Sequence, residues 1–578
     1  MNIACLLLTI LCITTHKSIS DAKQPSNSGN KKRRELLYAR SNYPKYCSVP
    51  SEMNSRSIPP VGFQKPTTSG IIVETQILQA SVIIRHGART PYKRLNCWDG
   101  YDEAIGNWDC TLTALMAPFN NKEGEGGDAD ADDSSGVLLF EKVYDAPPEN
   151  TLNGTCQLGQ LIAQGYDMEQ TNGRHLREAY IDNTNSQGQQ QQQHHNMQLF
   201  PTAEYESLDD KSTYFRGDDE QRTLMSGQVL IKSIFDVQTD TTMKIHTVDY
   251  ERDILTPSEE LCPRLKDLEE DAFSSEEFVA FTTSLESAEI LEFLETDLKA
   301  TKDAIEHQFT DCLMTTYCTD RSMPNGLNDF ERDGDGSMFS RTHEFLTKKY
   351  TFPMQYNNAA YSKLGMGPLW HEIKGPLEQT KQVSSLDGMK DHEIPRLLLY
   401  SGHDWTLMPL LASLEVWDGV WTPYASMLVV ESHAVTSGPN PKFPSNHAFR
   451  LINNGKVLTD KMDGCDDELC DLDILLNYLE PFATKYHAAD CKSTTLTAKQ
   501  GNGVSVGRSS TFSLLTTTMV VAVLCCAITY ITTRYFITGE LPFGTSTFSY
   551  SKTKMYGKSK YSSFDSGKGI ETPLTSET

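Results

Sequence analysis

Basic side chains are scarce in this chain. Its 578 residues carry 52 Lys and Arg against 77 Asp and Glu, a formal charge of −25. That balance argues against nucleic acid as the main partner, because phosphate backbones select basic surfaces. It leaves room for a small anionic substrate, which needs only a local cluster of arginines. Paired CxxC motifs are absent, so the usual zinc frameworks are not expected. A glutamate is missing where a calcium loop would need one. The segment Asp329-Phe330-Glu331-Arg332-Asp333-Gly334-Asp335-Gly336 puts position 12 on Ser340 or Thr342, and it reads as an acidic turn. No metal and no cofactor are expected. Apolar residues are not lacking: 38% of the chain is hydrophobic and 22% charged, enough for a sizeable core and too much for wholesale disorder. The length fits three or four domains, or one large α/β unit with a helical insert.

Two stretches have no charge at all. Residues 2–15 include Leu6, Leu7, Leu8, Ile10, Leu11 and Ile13, and Ser18 and Ser20 precede Asp21 at cleavage spacing. This predicts a signal peptide over 1–20. Residues 512–533 contain no Asp, Glu, Lys or Arg, and 22 helical residues cover about 33 Å, the span of a bilayer core. Arg534 follows, and a mildly basic flank fits the cytoplasmic side. The expected layout is an N-terminal arm over 21–75, a folded region over 76–495, a linker over 496–511, a transmembrane helix over 512–533 and a cytoplasmic tail over 534–578. That is a single-pass type I membrane protein with its folded part extracellular or lumenal. Ten of the fourteen cysteines lie between signal and span, and an even number in an oxidising compartment suggests up to five disulfides. Asn153-Gly154-Thr155 is the sequon expected to carry a glycan. In the tail, Tyr561-Ser562-Ser563-Phe564 resembles the tyrosine signals that sorting adaptors read as an extended strand. It predicts cycling between the cell surface and endosomal or lysosomal membranes. Residues 121–135, nearly all Gly, Asp, Glu and Ser, and the Gln/His tract 186–198 are expected to be surface insertions.

Two apolar runs read as buried parallel strands, Ile77–Ile84 and Leu397–Tyr400. Helical spacing marks 158–180 and roughly 276–310. The pattern is α/β, with strands from both ends of the chain. Each strand ends in a polar cluster, the place where open α/β sheets bind ligands. The first cluster is Arg85-His86-Gly87-Ala88-Arg89-Thr90-Pro91. Two guanidiniums bracket an imidazole, and arginine forks match phosphate oxygens. Gly87 is expected to let an anion approach the backbone. The positive field should keep His86 neutral and nucleophilic. The second cluster, Ser401-Gly402-His403-Asp404, adds an imidazole and a carboxyl group. Facing a bound phosphate dianion, that carboxyl would hold a proton and serve as general acid. A third cluster, Arg216-Gly217-Asp218-Asp219-Glu220-Gln221-Arg222, could add another phosphate-holding arginine.

RHGARTP at 85–91 and the late His403-Asp404 pair resemble the two signatures of the histidine acid phosphatases, the RHGxRxP branch of the histidine phosphatase superfamily. Residues 159–180, RTLMSG at 222–227, CPRL at 262–265 and the stretch at 399–426 extend the resemblance to the prostatic and lysosomal acid phosphatases. It covers roughly 76–495. The resemblance implies a central mixed or parallel sheet flanked by helices, with a smaller, mostly helical cap from about 263–390. It also implies a metal-free phosphate monoester hydrolysis in which His86 is phosphorylated. Arg85, Arg89, Arg216 and His403 would hold the phosphoryl group, and Asp404 would protonate the leaving oxygen. The chain departs from the pattern at Gly217-Asp218, where the family has Ser-Thr. Two family disulfides transfer as Cys262–Cys491 and Cys465–Cys470. The third would need a cysteine at Met427, so Cys318 is assigned to Cys312, and Cys97 to Cys110 across a short loop. The substrate could be general, or narrower and phytate-like or a phosphosugar. The reading from another class is a surface binding protein that retained the fold. A homodimer is also compatible with the resemblance.

Overall fold

The apolar run around Ile77–Ile84 becomes the centre of a mixed sheet. The computed structural model describes residues 38–62, 73–93, 95–110, 115–118, 137–140, 152–182, 195–204, 211–236, 243–307, 309–486 and 489–493. Its strands are β1 Thr75–Arg85, β2 Leu115–Pro118, β3 Val137–Phe140, β4 His195–Asn196, β5 Thr213–Gly217, β6 Leu397–Gly402, β7 Met427–Val435, β8 His447–Asn453, β9 Lys456–Val457 and β10 Cys470–Asp471. β2 and β3 pair with each other alone, and the other eight share one sheet in the order β10-β8-β7-β1-β6-β5, with β4 beside β1 and β9 beside β8. β1, β6 and β5 run parallel, whereas β7, β8 and β10 each pair antiparallel to a neighbour.

β1 and β6 read as unbroken apolar runs because both sheet faces are covered. Leu397 and Leu399 pack into one core with Leu176, Tyr180, Leu230 and Ile231. Leu398 and Tyr400, pointing the other way, pack with Trp370, Leu407 and Leu410. The longer helices include α1 Ala163–Tyr180, α2 Gln221–Ile234, α3 Arg264–Phe273, α4 Phe309–Cys318, α5 Met338–Thr380, α6 Asp404–Ser413 and α7 Leu472–Leu479. α1 and α2 cover the first face, and α6 with the second half of α5 covers the other. α5 is two helices in one span. Tyr356 is extended, and Asn357, Asn358 and Ala359 take left-handed φ values of 50°, 61° and 56°. Asparagine tolerates that region better than most residues.

One polar pair sits inside the sheet. Glu431 on β7 lies opposite Arg450 on β8 and accepts from its Nε at 2.6 Å and its Nη2 at 3.1 Å, while the Tyr180 hydroxyl of α1 donates at 2.6 Å. Burial alone would raise the Glu431 carboxyl, but Arg450 and His433 outweigh it and hold it at about 2. The Glu431 carboxylate is answered by Arg450 on β8, Tyr180 on α1 and His433 on β7 itself, and such bonding is what makes a buried charge tolerable.

The bridges Cys262–Cys491 and Cys465–Cys470 follow the implied pairing. The other two assignments are overturned. Cys97 pairs with Cys312, Cys110 with Cys156, and Cys318 with Cys47. Cys312 and Cys318 lie on one helix, six residues and about 9 Å of axial rise apart, beyond disulfide reach. Cys110 is turned toward the 152–156 segment, where Trp108 pairs with Gly154, rather than toward Cys97. The end of the Gln/His tract also departs from expectation. His195–Asn196 is a short strand beside β1, and Met197 is buried. The proposed signal, residues 121–135, the linker, the span 512–533 and Tyr561 lie outside the described residues. Among the described residues no helix is long and apolar enough to cross a membrane.

Candidate active site

Strand register alone gathers the polar clusters. Arg85 lies opposite Gly402 and Gly217 opposite Ser401, so the carboxyl ends of three parallel strands share one edge. The loop after β1 is pinned there. The backbone N–H of His86 donates to Gly402 O at 3.0 Å, and that of Gly87 to Ser226 Oγ of α2 at 3.2 Å. A Cβ on Gly87 would stand 2.3 Å from the carbonyl oxygen of Gly165, and one on Gly165 would stand 2.2 Å from that of Ala88. Gly87 therefore makes room for α1, not for an anion as its position in the motif suggested.

His86 is 1% exposed, and its Nδ1 is 2.8 Å from its neighbour's carbonyl, Gly87 O. A carbonyl only accepts, so Nδ1 carries the proton and Nε2 keeps the lone pair. Burial drives the ring's pKa well below its ordinary value, and Arg222, Arg85, Arg89 and His403 push it further down. The ring is thus neutral deep into the acid range. Its centroid is 5.5 Å from that of His403, whose Nε2 is hydrogen-bonded to Asp218.

Arg85 is fully buried. Its Nη2 donates to Asp404 Oδ2 and to the Tyr46 hydroxyl, each at 2.9 Å, and its guanidinium lies 4.4 Å over the Tyr424 ring. Asp404 opens α6, with His403 at the N-cap position and its backbone N–H donating to Thr406 Oγ1 at 2.9 Å. Asp404 Oδ2 also accepts from the Trp421 indole at 2.9 Å. Burial would raise the Asp404 pKa, but Arg85, Arg89, the Trp421 hydrogen bond and His403 together hold it below the usual carboxylate value. Arg89 donates to Asp311 of α4 at 2.8 Å.

The third cluster divides. Arg222, at the start of α2, lines the same cavity as His86, Arg89, His403 and Asp404, and it pairs with Glu220. Arg216 does not line it. Its guanidinium is bonded to Glu372 of α5 at 2.7 Å and lies 3.5 Å from Asp253. Arg216, expected to hold phosphate, is a cross-link between β5 and the helical layer. Asp218, at the point of departure from the family pattern, is the partner of His403. Asp218, Glu220 and His403 place ligand atoms within 4.8 Å of one another, the geometry of a cation site among the described residues. Their actual partners, His403 for Asp218 and Arg222 for Glu220, already answer both carboxylates.

The cavity has a volume of about 650 Å³. The strand-end groups form its floor. Its wall comes from Thr256, Pro257, Glu269, Phe273, Glu306 and Tyr350, with Trp405 and Trp421. Tyr46, Asp311 and Tyr424 were invisible as site residues in the sequence. Tyr46 comes from the arm upstream of β1, far from any motif, and is tied down next door by Cys47–Cys318.

A family model for the histidine phosphatase superfamily (branch 2) matches residues 76–457. The chain belongs to that superfamily, and it is a phosphomonoesterase. It is similar to counting factor 60 of Dictyostelium discoideum, 25% identical over 466 residues that cover 78% of this chain and 94% of the relative. Human lysophosphatidic acid phosphatase type 6 is 24% identical over 427 residues, covering 72% of this chain and 87% of the relative. Human lysosomal acid phosphatase is 24% identical over 361 residues, covering 61% and 76%.

Proposed function

We propose that this chain is an acid phosphatase working through a phosphohistidine on His86. The observation that carries the reading is the Nδ1–Gly87 carbonyl hydrogen bond on a ring held neutral by its surroundings. Nε2 attacks phosphorus, the P–O bond to the alcohol breaks, and the departing oxygen takes a proton. Water then attacks the phosphohistidine, freeing Nε2 and inorganic phosphate. Arg85, Arg89, Arg222 and His403 hold the phosphoryl oxygens. Asp404 manages the proton at the leaving group, oriented by Arg85 and Trp421. The helical segment from about 264 to 380 serves as the cap that frames the leaving group. Five disulfides and the exposed Asn153 sequon support a lumenal or extracellular catalytic unit carrying a glycan. With the span at 512–533 it is a type I membrane enzyme. With Tyr561 in its tail it is sorted between the surface and endosomes or lysosomes, in line with its similarity to a lysosomal acid phosphatase.

Rapid acid-free quenching with a ³²P-labelled aryl phosphate tests the mechanism. A phosphoprotein stable to base and labile to acid, lost in His86→Ala, is the expected result. A phosphoprotein of the opposite stability, or one that survives the substitution, would overturn it.

A further inference from the structure

The wall of the cavity differs in charge from its floor. Among the described cavity-lining residues, the guanidiniums, Arg89 and Arg222, belong to the floor. The wall brings Glu269 on α3 and Glu306, together with the rings of Phe273, Tyr350, Trp405 and Trp421. Glu269 is half-buried; burial, and then the neighbouring Glu259 and Glu270, raise its carboxyl pKa against the opposing Lys266, so its negative charge is present above that raised pKa. Glu306 is exposed, has Lys302 at 3.4 Å, and also faces Lys349, whose ammonium lies 5.8 Å from the Tyr350 ring centre. Lys302 does not line the cavity.

A phosphate monoester bound with its phosphorus at His86 must project its alcohol toward this wall. A second phosphate there would meet carboxylates and aromatic faces, with no guanidinium to receive it. Like charge in a partly desolvated cleft is repelled more strongly than in water. A neutral alcohol pays no such penalty, and a cationic one gains from both the carboxylates and the ring faces. We propose that Glu269 and Glu306 form a charge filter over the leaving group, selecting monoesters with a neutral or cationic alcohol and rejecting those with a second phosphate. The inference rests on the phosphatase reading above and narrows its substrate class.

Three alkyl substrates of comparable leaving ability test it: O-phosphoethanolamine, β-glycerophosphate and fructose 1,6-bisphosphate. For the wild-type protein kcat/KM should follow that order, with the bisphosphate roughly tenfold below glycerophosphate at low salt. Raising ionic strength should narrow the gap, a readout that a merely structural role for the glutamates would not produce and that requires no variant. In Glu269→Gln/Glu306→Gln the bisphosphate-to-glycerophosphate ratio should rise roughly tenfold and lose most of its salt dependence. Glu306→Gln alone, at an exposed position, should move the ratio the same way by less. Equal wild-type efficiency on glycerophosphate and bisphosphate, or a ratio unmoved by salt and by both variants, overturns the filter while leaving the phosphatase reading intact. Wild-type protein that hydrolyses none of the three overturns the phosphatase reading and the filter with it.

Discussion

Floor and wall of the same cavity are built on opposite rules. On the floor each arginine is matched to a carboxylate, Arg85 to Asp404, Arg89 to Asp311 and Arg222 to Glu220, and the His403 imidazole is hydrogen-bonded to Asp218. Such pairing fixes the direction of each donor before substrate arrives, so little reorganisation is left for the reaction itself. On the wall, Glu269 sits beside other carboxylates, and no arginine answers it. A region built of matched charges positions a transition state, and a region of like charges can only discriminate. Damage to the floor should therefore appear in the chemical step, and damage to the wall in the choice of substrate.

The sharpest break in that comparison is His86→Ala. It removes the nucleophile but leaves the arginines, and kcat should fall by about 10³-fold or more. Stability should change little, since the ring lines a cavity. Steady-state assay with an aryl phosphate, beside a thermal melt, checks both halves. Retention of a tenth of the wild-type kcat would mean that His86 is not the nucleophile.

The second break sets Arg222→Ala against Arg216→Ala, two arginines six residues apart. Arg222 lines the cavity and bears on His86, so its loss should cost about 10²–10³ in kcat/KM. Arg216→Ala should leave kcat/KM within about fivefold of wild type. It should instead destabilise the fold by about 3 kcal/mol, because Asp253 and Glu372 lose their shared partner. Reversed outcomes, with activity lost at 216 and stability at 222, would return Arg216 to the phosphate.

These two arginines also mark how far the sequence could be read. The α/β class, the two central strands and the motifs at their ends were legible because parallel strands leave unbroken apolar runs and their register forces the following residues together. His86, Arg85, Arg89, His403 and Asp404 line up from that alone. The choice between Arg216 and Arg222 was not legible, because it depends on whether the penultimate residue of β5 or the first turn of α2 points inward. Asp311, Tyr46 and the Cys47–Cys318 bridge were hidden for a different reason. Each reaches the site from a distant part of the chain through packing, and carries no local spacing signal. The role of Gly87 was not legible either, since its close contact with Gly165 is a helix-packing constraint and not an opening for an anion.

Asp404→Asn sharpens the comparison by leaving group and pH. Arg85 and Arg89 hold the free carboxyl below its ordinary pKa, so the unliganded protein carries it ionised over most of the acid range. A bound dianion by itself would favour the protonated acid. With Asp404 ionised, the leaving-group proton arrives on the substrate's own phosphate, as the monoanion, and passes to Asp404 as the complex forms. His86, with its pKa depressed, stays neutral as pH falls. The kcat/KM should thus hold on the acid side and decline as pH rises through the second ionisation of the phosphate, at ~6. Substrates with a lower second pKa should shift the alkaline limb down with them. In Asp404→Asn, alkyl phosphates should lose about 10²-fold or more and aryl phosphates far less. A limb fixed at one pH for all substrates would assign it to a protein group.

The smallest effect comes from the part of the floor furthest from the motifs. Tyr46 lies upstream of the 76–457 family match, yet its hydroxyl accepts from Arg85 at 2.9 Å and its ring packs edge-on against Tyr424 at 4.7 Å. The Arg85 guanidinium lies 4.9 Å from the centre of the same ring. Tyr46→Phe removes the hydroxyl and keeps the ring, so Arg85 loses one of its acceptors while Asp404 and both aromatic faces remain. A single buried hydrogen bond to a charged group is worth about 1.5–3 kcal/mol, and the remaining contacts should absorb part of it. A three- to tenfold fall in kcat/KM is expected, with KM rising more than kcat falls if Arg85 mainly holds ground-state phosphate. Tyr46→Ala removes the ring as well and should cost more in both activity and melting temperature. If Tyr46→Phe matched wild type while Tyr46→Ala lost only stability, the upstream segment would be packing alone, and the floor would consist of the strand-end motifs without it.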